Sequence, residues 1–306
     1  MTGLALPPAL LAWVSETTGA RLERCTMDPM PGGAVSGLVE RITLHLAGGE
    51  RIQEVQVVRK RAYPHEAGGL EAVQAIRPAA TAVPELIAWG ESAEGTWLIS
   101  PFLQGSPLPD RDAPVPANLF DSLARLHAHF HGATNVPAGM PRVDSQWWQQ
   151  LCHDWVLPQI DRHRGRHPAS TITRAGVLIN HVADHPAVGR TLPRLTPTLL
   201  HGDVHPGNVL IDGQHAWLID WGSCRVGPAM LDLANLVSLD SDGFAVYRQT
   251  WEVVTGSSLD ADSAELGYRW AALQIPVQYL PWMIGNLSAT DVEAALDRAD
   301  QALAAL

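Results

Sequence analysis

One run of eight residues concentrates the reactive side chains of this sequence: His201-Gly202-Asp203-Val204-His205-Pro206-Gly207-Asn208. Its glycines and proline make it a loop. The apolar strand Val209-Leu210-Ile211 follows, Asp212-Gly213 supplies a turn, and Trp217-Leu218-Ile219 leads into Asp220-Trp221-Gly222. A hairpin of that length brings Asp203, Asn208 and Asp220 to one end of a small sheet. Two carboxylates and a carboxamide make a hard, oxygen-rich site suited to Mg2+. Phosphoryl transfer uses such a metal to bridge the phosphates, with a separate carboxylate to take the proton of the accepting hydroxyl. The same run admits another chemistry, in which His201, Asp203 and His205 are ligands of a metallohydrolase, although the spacing fixes no further ligand.

The order HGDxHPGN, then an apolar strand, then IDW, resembles the aminoglycoside phosphotransferase family, which includes choline-kinase-like enzymes and shares the protein-kinase-like fold. The resemblance implies Asp203 as catalytic base, Asn208 and Asp220 as magnesium ligands, and His201 as a scaffold for the loop. Gly227-Pro228-Ala229-Met230-Leu231-Asp232-Leu233-Ala234 is similar to the family's GPxxxDLA segment, where Asp232 braces the catalytic loop. The fold implied is α+β and bilobal: a small antiparallel sheet with one helix, then a larger, mainly helical lobe. The donor implied is ATP or GTP, with Mg2+ as cofactor. A kinase-like protein that binds nucleotide without transferring phosphate is the alternative within the same fold.

The N-terminal third would carry the nucleotide. Val57-Val58-Arg59-Lys60 resembles the kinase strand whose cation pairs with phosphates and with a helix glutamate. Strand alternation puts Arg59 and Lys60 on opposite faces, so one of them points at the nucleotide. Lys60, the single lysine beside twenty arginines, is favoured over Arg59. Glu66, Leu70 and Val73 mirror the family's partner helix, with Glu71 as the alternative to Glu66. Only five residues separate Lys60 from Glu66, which is tight, and a first-turn glutamate also suits a helix dipole. Pro31–Gly37, with Gly33 and Ser36, stands where kinases place the loop over the phosphates. Ile99, Ser100 and Phe102 fall, by order in the chain, at the inter-lobe hinge that binds adenine.

The elements that must position these residues are legible in outline. Pro7-Pro8 opens a short helix. Residues 22–27, 38–46 and 51–60 read as strands, with a tight turn at AGGE. Pro64 starts a helix that Arg77-Pro78 ends, and strands recur at 84–90 and 96–103. The proline-rich stretch 104–116 divides residues 1–103, a nucleotide-binding lobe, from residues 104–306, a helical lobe with the catalytic loop and the acceptor site. Acceptor contacts are sought there in Asp240, Asp242 and Trp282, with Asp144 as a further carboxylate. Trp251, Trp270 and Tyr279 read chiefly as core aromatics at helical spacing. His127 and His131 lack the glutamate of a zinc helix and read as packing residues.

Composition excludes other classes. The net charge of −11 argues against nucleic acid and leans mildly toward an amine-bearing acceptor. Three scattered cysteines form no disulfide framework and fit a reducing compartment, so a cytoplasmic location is expected. No GxxxxGK[ST], GxSxG or GxGxxG occurs. The uncharged stretch from Trp270 to Thr290 is long enough to span a bilayer but holds two prolines, two glutamines and an asparagine. It reads as buried helix segments, and no membrane partner is expected. The expected partners are a nucleoside triphosphate and a small-molecule acceptor.

Overall fold

The structure, a computed structural model, describes residues 6–30, 38–47, 53–77, 79–133 and 135–306. Along the chain run α1 (Pro8–Thr18), β1 (Arg21–Pro29), β2 (Val39–Ala47), β3 (Gln53–Arg61), α2 (Pro64–Gln74), β4 (Ala88–Ser92), β5 (Gly95–Pro101), β6 (Ser106–Pro107) and α3 (Ala117–His129). There follow α4 (Ser145–Gln150), α5 (Leu157–Arg162), α6 (Ala169–Ala183), α7 (Pro186–Thr191), β7 (Pro197–Leu200), β8 (Val209–Asp212), β9 (His215–Leu218), β10 (Arg225–Pro228), α8 (Asp242–Thr255), α9 (Ala261–Asn286) and α10 (Ala289–Ala304). The expected glycine loop, with Gly33 and Ser36, lies outside the described residues, as do most of the AGGE turn and Pro78.

The chain divides into two compact units. The first comprises residues 1–122, 137–139 and 205–224. Its antiparallel sheet has the order β1-β2-β3-β5-β4. The period-two pattern of β2 sends Ile42, Leu44 and Leu46 to one face, where they bury completely with Val57, Ile99 and the α1 residues Leu10 and Val14. Proline at the first turn opens both α1 and α2. A second sheet, β6-β8-β9, belongs to the same unit. It needs Gly105, at φ +146°, because a Cβ there would lie 2.8 Å from the Ile211 carbonyl oxygen. The Leu218 amide donates to the Ala82 carbonyl at 2.8 Å.

The boundary expected after residue 103 does not coincide with this division. Residues 104–122 and 205–224 pack with the first unit because β6 pairs with β8 and Leu218 bonds to Ala82. These pairings join distant segments and leave no local signature in the sequence.

The second unit comprises residues 123–136, 140–204 and 225–306. Its core gathers Trp148 and Cys152, then Ile179 and Val182 of α6, Trp270, Leu273 and Leu280 of α9, and Val292 and Leu296 of α10. The Trp148 indole N–H, buried with its ring, donates to the Val182 carbonyl at 2.9 Å. β7 and β10 pair antiparallel. The uncharged stretch from Trp270 to Thr290 is helical on both sides of Leu287-Ser288: α9 runs through Pro276 and Pro281 to Asn286, and α10 starts at Ala289. Gln274 of α9 is wholly buried, accepts from Trp270 Nε1 at 2.7 Å and donates to Gln278 at 3.2 Å. Among the described residues, no helix is long and apolar enough to cross a membrane.

Candidate active site

In the first unit the β8–β9 hairpin sets two of the expected residues side by side. Its register pairs Val209 with Leu218, which places Asn208 and Ile219 at the open end. The Ile219 amide donates to the Asn208 carbonyl at 2.9 Å. Asp220 is therefore one residue beyond a fixed point. It adopts φ +63°, ψ +70°, one of two non-glycine left-handed residues among those described. Such a conformation costs an aspartate on the order of 1–2 kcal/mol and concentrates at functional sites. Asn208 is buried and Asp220 is partly exposed.

Lys60 and Arg59 meet different partners. Lys60 Nζ donates to Glu66 Oε1 at 2.8 Å and forms a second, short ion pair with Asp220. Arg59 faces the other way, 3.4 Å from Glu40 and over the Trp97 ring. Glu66 is 2% exposed, whereas Glu71 is exposed. Burial opposes the charge of Lys60, but Glu66 and Asp220 outweigh it and hold the ammonium above the ordinary lysine value. Burial pushes Glu66 above the usual carboxylate range, with Lys60 offsetting part of the rise. His65 caps the neighbourhood through a 3.0 Å contact between Nε2 and the Gly222 carbonyl.

Ile99 and Ser100 lie inside β5, opposite Arg59 and Val58. The Ile99 carbonyl accepts from the Ile87 amide, and the Phe102 amide donates to the Gln56 carbonyl. Those two backbone groups of the expected hinge segment are thus bound within the sheet. Chain order alone does not reveal such pairing.

In the second unit Asp232 is fully buried and organises the start of the loop. Its two oxygens accept the backbone amides of His201 at 2.7 Å and Gly202 at 2.8 Å. His127 Nε2 lies 3.3 Å from the same carboxylate. An ionised carboxylate only accepts, so His127 donates from Nε2, and its Nδ1 lies 3.0 Å from the Tyr247 hydroxyl. Burial opposes the charge of Asp232, yet His127, His201 and the Gly202 amide hold its pKa below the usual carboxylate range. His201 is itself fully buried, and its Nδ1 accepts the Asp203 amide at 3.3 Å.

Two further residues hold this loop. Arg225 donates to the Gly202 carbonyl at 2.7 Å and to Gln278 at 2.9 Å, and Asn235 donates to the Val204 carbonyl at 2.9 Å. Sequence reading missed both. A lone arginine in the apolar run Cys224–Pro228 was the available signal. Tyr279, read as core, donates a short hydrogen bond from its hydroxyl to Asp203 Oδ1.

The acceptor candidates have more ordinary surroundings. Ser238 Oγ donates to Asp240 at 2.5 Å and holds that carboxyl below its usual range. Asp242 opens α8, and Asp144 caps α4 by accepting the Trp147 amide at 2.8 Å. Trp282 stays 54% exposed on α9, one turn beyond Tyr279.

Asn208 and Asp220 offer the hard oxygen donors that Mg2+ prefers, held by a common hairpin. Among the described residues, no group of three or more His, Cys, Asp and Glu side chains is arranged to hold a metal, as the metallohydrolase alternative would need.

Residues 55–273 match the model of a family described as the phosphotransferase enzyme family. The chain belongs to that family. Comparison with curated proteins finds no match. Among solved structures, a thermostable mutant of the aminoglycoside phosphotransferase APH(4)-Ia in its apo form is 17% identical, covers 96% of this chain and 98% of its own, and superposes with a TM-score of 0.52. A ternary complex of such a thermostable mutant with ADP and hygromycin B is 16% identical over 97% of this chain and 98% of its own, with a TM-score of 0.51. Choline kinase from Cryptosporidium parvum Iowa II is 9% identical, covers 91% of this chain and 88% of its own, and has a TM-score of 0.54. The phosphotransferase fold is thus the kinase-like α+β fold expected from the motifs.

Proposed function

We propose that the protein transfers the γ-phosphoryl group of ATP or GTP to a hydroxyl of a small molecule. The observation that carries this reading is the buried Lys60 ammonium fixed by Glu66 and Asp220 beside the strapped end of the Asn208–Asp220 hairpin. Lys60 would neutralise phosphate oxygens, with Glu66 setting its direction. Asn208 and Asp220 would hold Mg2+. Held there, Mg2+ would offset the negative charge of the phosphates.

Asp203 would take the proton of the attacking hydroxyl. Its amide is fixed by His201, and the two preceding amides by Asp232, so little reorganisation is left for the chemical step. Solved relatives of this fold include an aminoglycoside phosphotransferase mutant with ADP and hygromycin B and a choline kinase, which supports nucleotide donors and alcohol acceptors. Trp282, Asp240 and Asp242 are the acceptor contacts to test first.

The test is a panel of aminoglycoside, macrolide, choline-like and sugar alcohols assayed for phosphate transfer, with Asp203→Asn as the blank. Transfer by the wild type that falls about 10²–10⁴-fold in the variant, at nearly unchanged nucleotide affinity, is expected for a general base. Equal loss of nucleotide binding and transfer contradicts the role given to Asp203.

A further inference from the structure

The Tyr279 hydroxyl donates to Asp203 Oδ1, the atom set that would receive a proton from the acceptor. A phenol O–H on that carboxylate is the same donor group, in the same relation to it, as the hydroxyl of an alcohol about to be phosphorylated. Tyr279 is held for this. It sits on α9 one residue after Gln278, whose side chain is fixed by Arg225 and Gln274, and Arg225 in turn holds the Gly202 carbonyl next to Asp203. Helix and loop are therefore cross-linked beside the tyrosine–aspartate contact. Asp203 is half-buried, and the cavity bordered by Gly202, Asp203, Val204, Asn235 and Tyr279 has about 10 Å³, the space of one water molecule.

We infer that Tyr279 is a stand-in for the acceptor hydroxyl, a plug that keeps water off Asp203 Oδ1 until an acceptor displaces it. The inference rests on the proposed phosphotransferase reading and deepens it. A base open to solvent can take a proton from water as well as from an alcohol. In that side reaction the water oxygen bonds to the γ-phosphorus, and the bond from phosphorus to the β,γ-bridging oxygen breaks. The water proton goes to Asp203, and nucleoside diphosphate and inorganic phosphate leave. Capping the carboxylate with a phenol blocks this loss, because a tyrosine fixed to its helix competes with water without meeting the phosphorus. An acceptor must then bind tightly enough to replace one hydrogen bond, which selects for alcohols with further contacts. Trp282, exposed one turn along α9, offers such a contact.

The experiment needs no knowledge of the acceptor. Tyr279→Phe and Tyr279→Met, which remove the hydroxyl and keep an apolar side chain, are compared with wild type for release of inorganic phosphate from Mg2+-ATP and Mg2+-GTP without acceptor. Melting temperature and nucleotide affinity are measured alongside. The expected result is at least a fivefold rise in hydrolysis in either variant, at unchanged nucleotide affinity, lost again when Asp203→Asn is added. A purely structural tyrosine would not produce a gain that depends on Asp203. Nucleotide binding with unchanged or lower hydrolysis in both folded variants overturns the plug while leaving the phosphotransferase reading in place. Failure of the folded wild type to bind either nucleotide overturns that reading, and the plug with it.

Discussion

Lys60 Nζ lies 2.8 Å from Glu66 Oε1, although only five residues separate the two in the chain. β3 ends at Arg61, the Ala62 amide bonds to the Thr96 carbonyl, and Pro64 starts α2 at once. A glutamate in the first helical turn thus meets a lysine at the strand's end. Helix-dipole compensation alone would leave such a glutamate exposed, and this one is 2% exposed.

Breaking a buried pair strands a charge, which typically costs about 3–5 kcal/mol. Lys60→Met, which leaves Glu66 buried without its cation, should destabilise the protein by that amount in urea unfolding, and Glu66→Met by less, because Asp220 still pairs with Lys60. The double variant should lose clearly less than the sum, since no buried glutamate is then left without its cation. Additive losses would show that the pair is not coupled.

Asp232 makes stability depend on pH. Its folded pKa is depressed, so the unfolded chain binds its proton first as pH falls. The contribution is complete above the unfolded value of about 3.9 and disappears as pH falls through the lower folded value. Unfolding free energy measured from pH 6 to pH 2 should therefore drop more steeply for wild type than for Asp232→Asn below about pH 4. The variant should also start lower at neutral pH, by about 3 kcal/mol, because one of the two buried amides loses its acceptor and faces the side-chain NH2 instead. Parallel pH profiles would contradict the assignment.

Gly222 closes over the charged cluster. A Cβ there would lie 3.4 Å from Asp220 Oδ1, 3.6 Å from Glu66 Oε2 and 3.8 Å from Lys60 Nζ. These are ordinary contact distances, so Gly222→Ala should fold with little change in melting temperature. The methyl would nonetheless sit against three polar groups of the proposed nucleotide site. Nucleotide affinity should weaken about tenfold, or about 1.4 kcal/mol, by calorimetry. Unchanged affinity would remove this cluster from the nucleotide site.

Cysteine reactivity checks the fold independently. Cys25 is exposed, whereas Cys152 and Cys224 are fully buried. Burial, with a smaller effect from Asp184, pushes the Cys152 thiol up to about 12, far from the thiolate that reacts. Native protein at pH 8 should react rapidly with Ellman's reagent at one thiol, and at all three in denaturant. Rapid reaction of two or three native thiols would contradict the described packing.

What the sequence revealed and what it hid follow from the range of the interactions. Alternation within one strand was enough to turn Lys60 and Arg59 to opposite faces, and turn chemistry was enough to join Asn208 to the neighbour of Asp220. Both are local. Tyr279 on Asp203, Arg225 on Gly202 and the docking of β8 on β6 link segments far apart in the chain, and no spacing encodes them. α9 runs unbroken through Pro276 and Pro281, supported by the surrounding core of Trp148, Ile179 and Val292. Burial of that apolar surface outweighs two missing backbone hydrogen bonds.

The most direct test of the central claim is calorimetric titration of Mg2+-ATP and Mg2+-GTP into the wild type and Asp220→Asn. The substitution keeps the size of the side chain, and asparagine tolerates the left-handed backbone, but it removes the charge that faces Lys60 and would hold the metal. Saturable binding by the wild type that requires Mg2+ and weakens at least tenfold in Asp220→Asn is the predicted result. Absence of binding by the folded wild type, or binding that is indifferent to both Mg2+ and Asp220, would contradict a metal-assisted phosphotransferase built on this site.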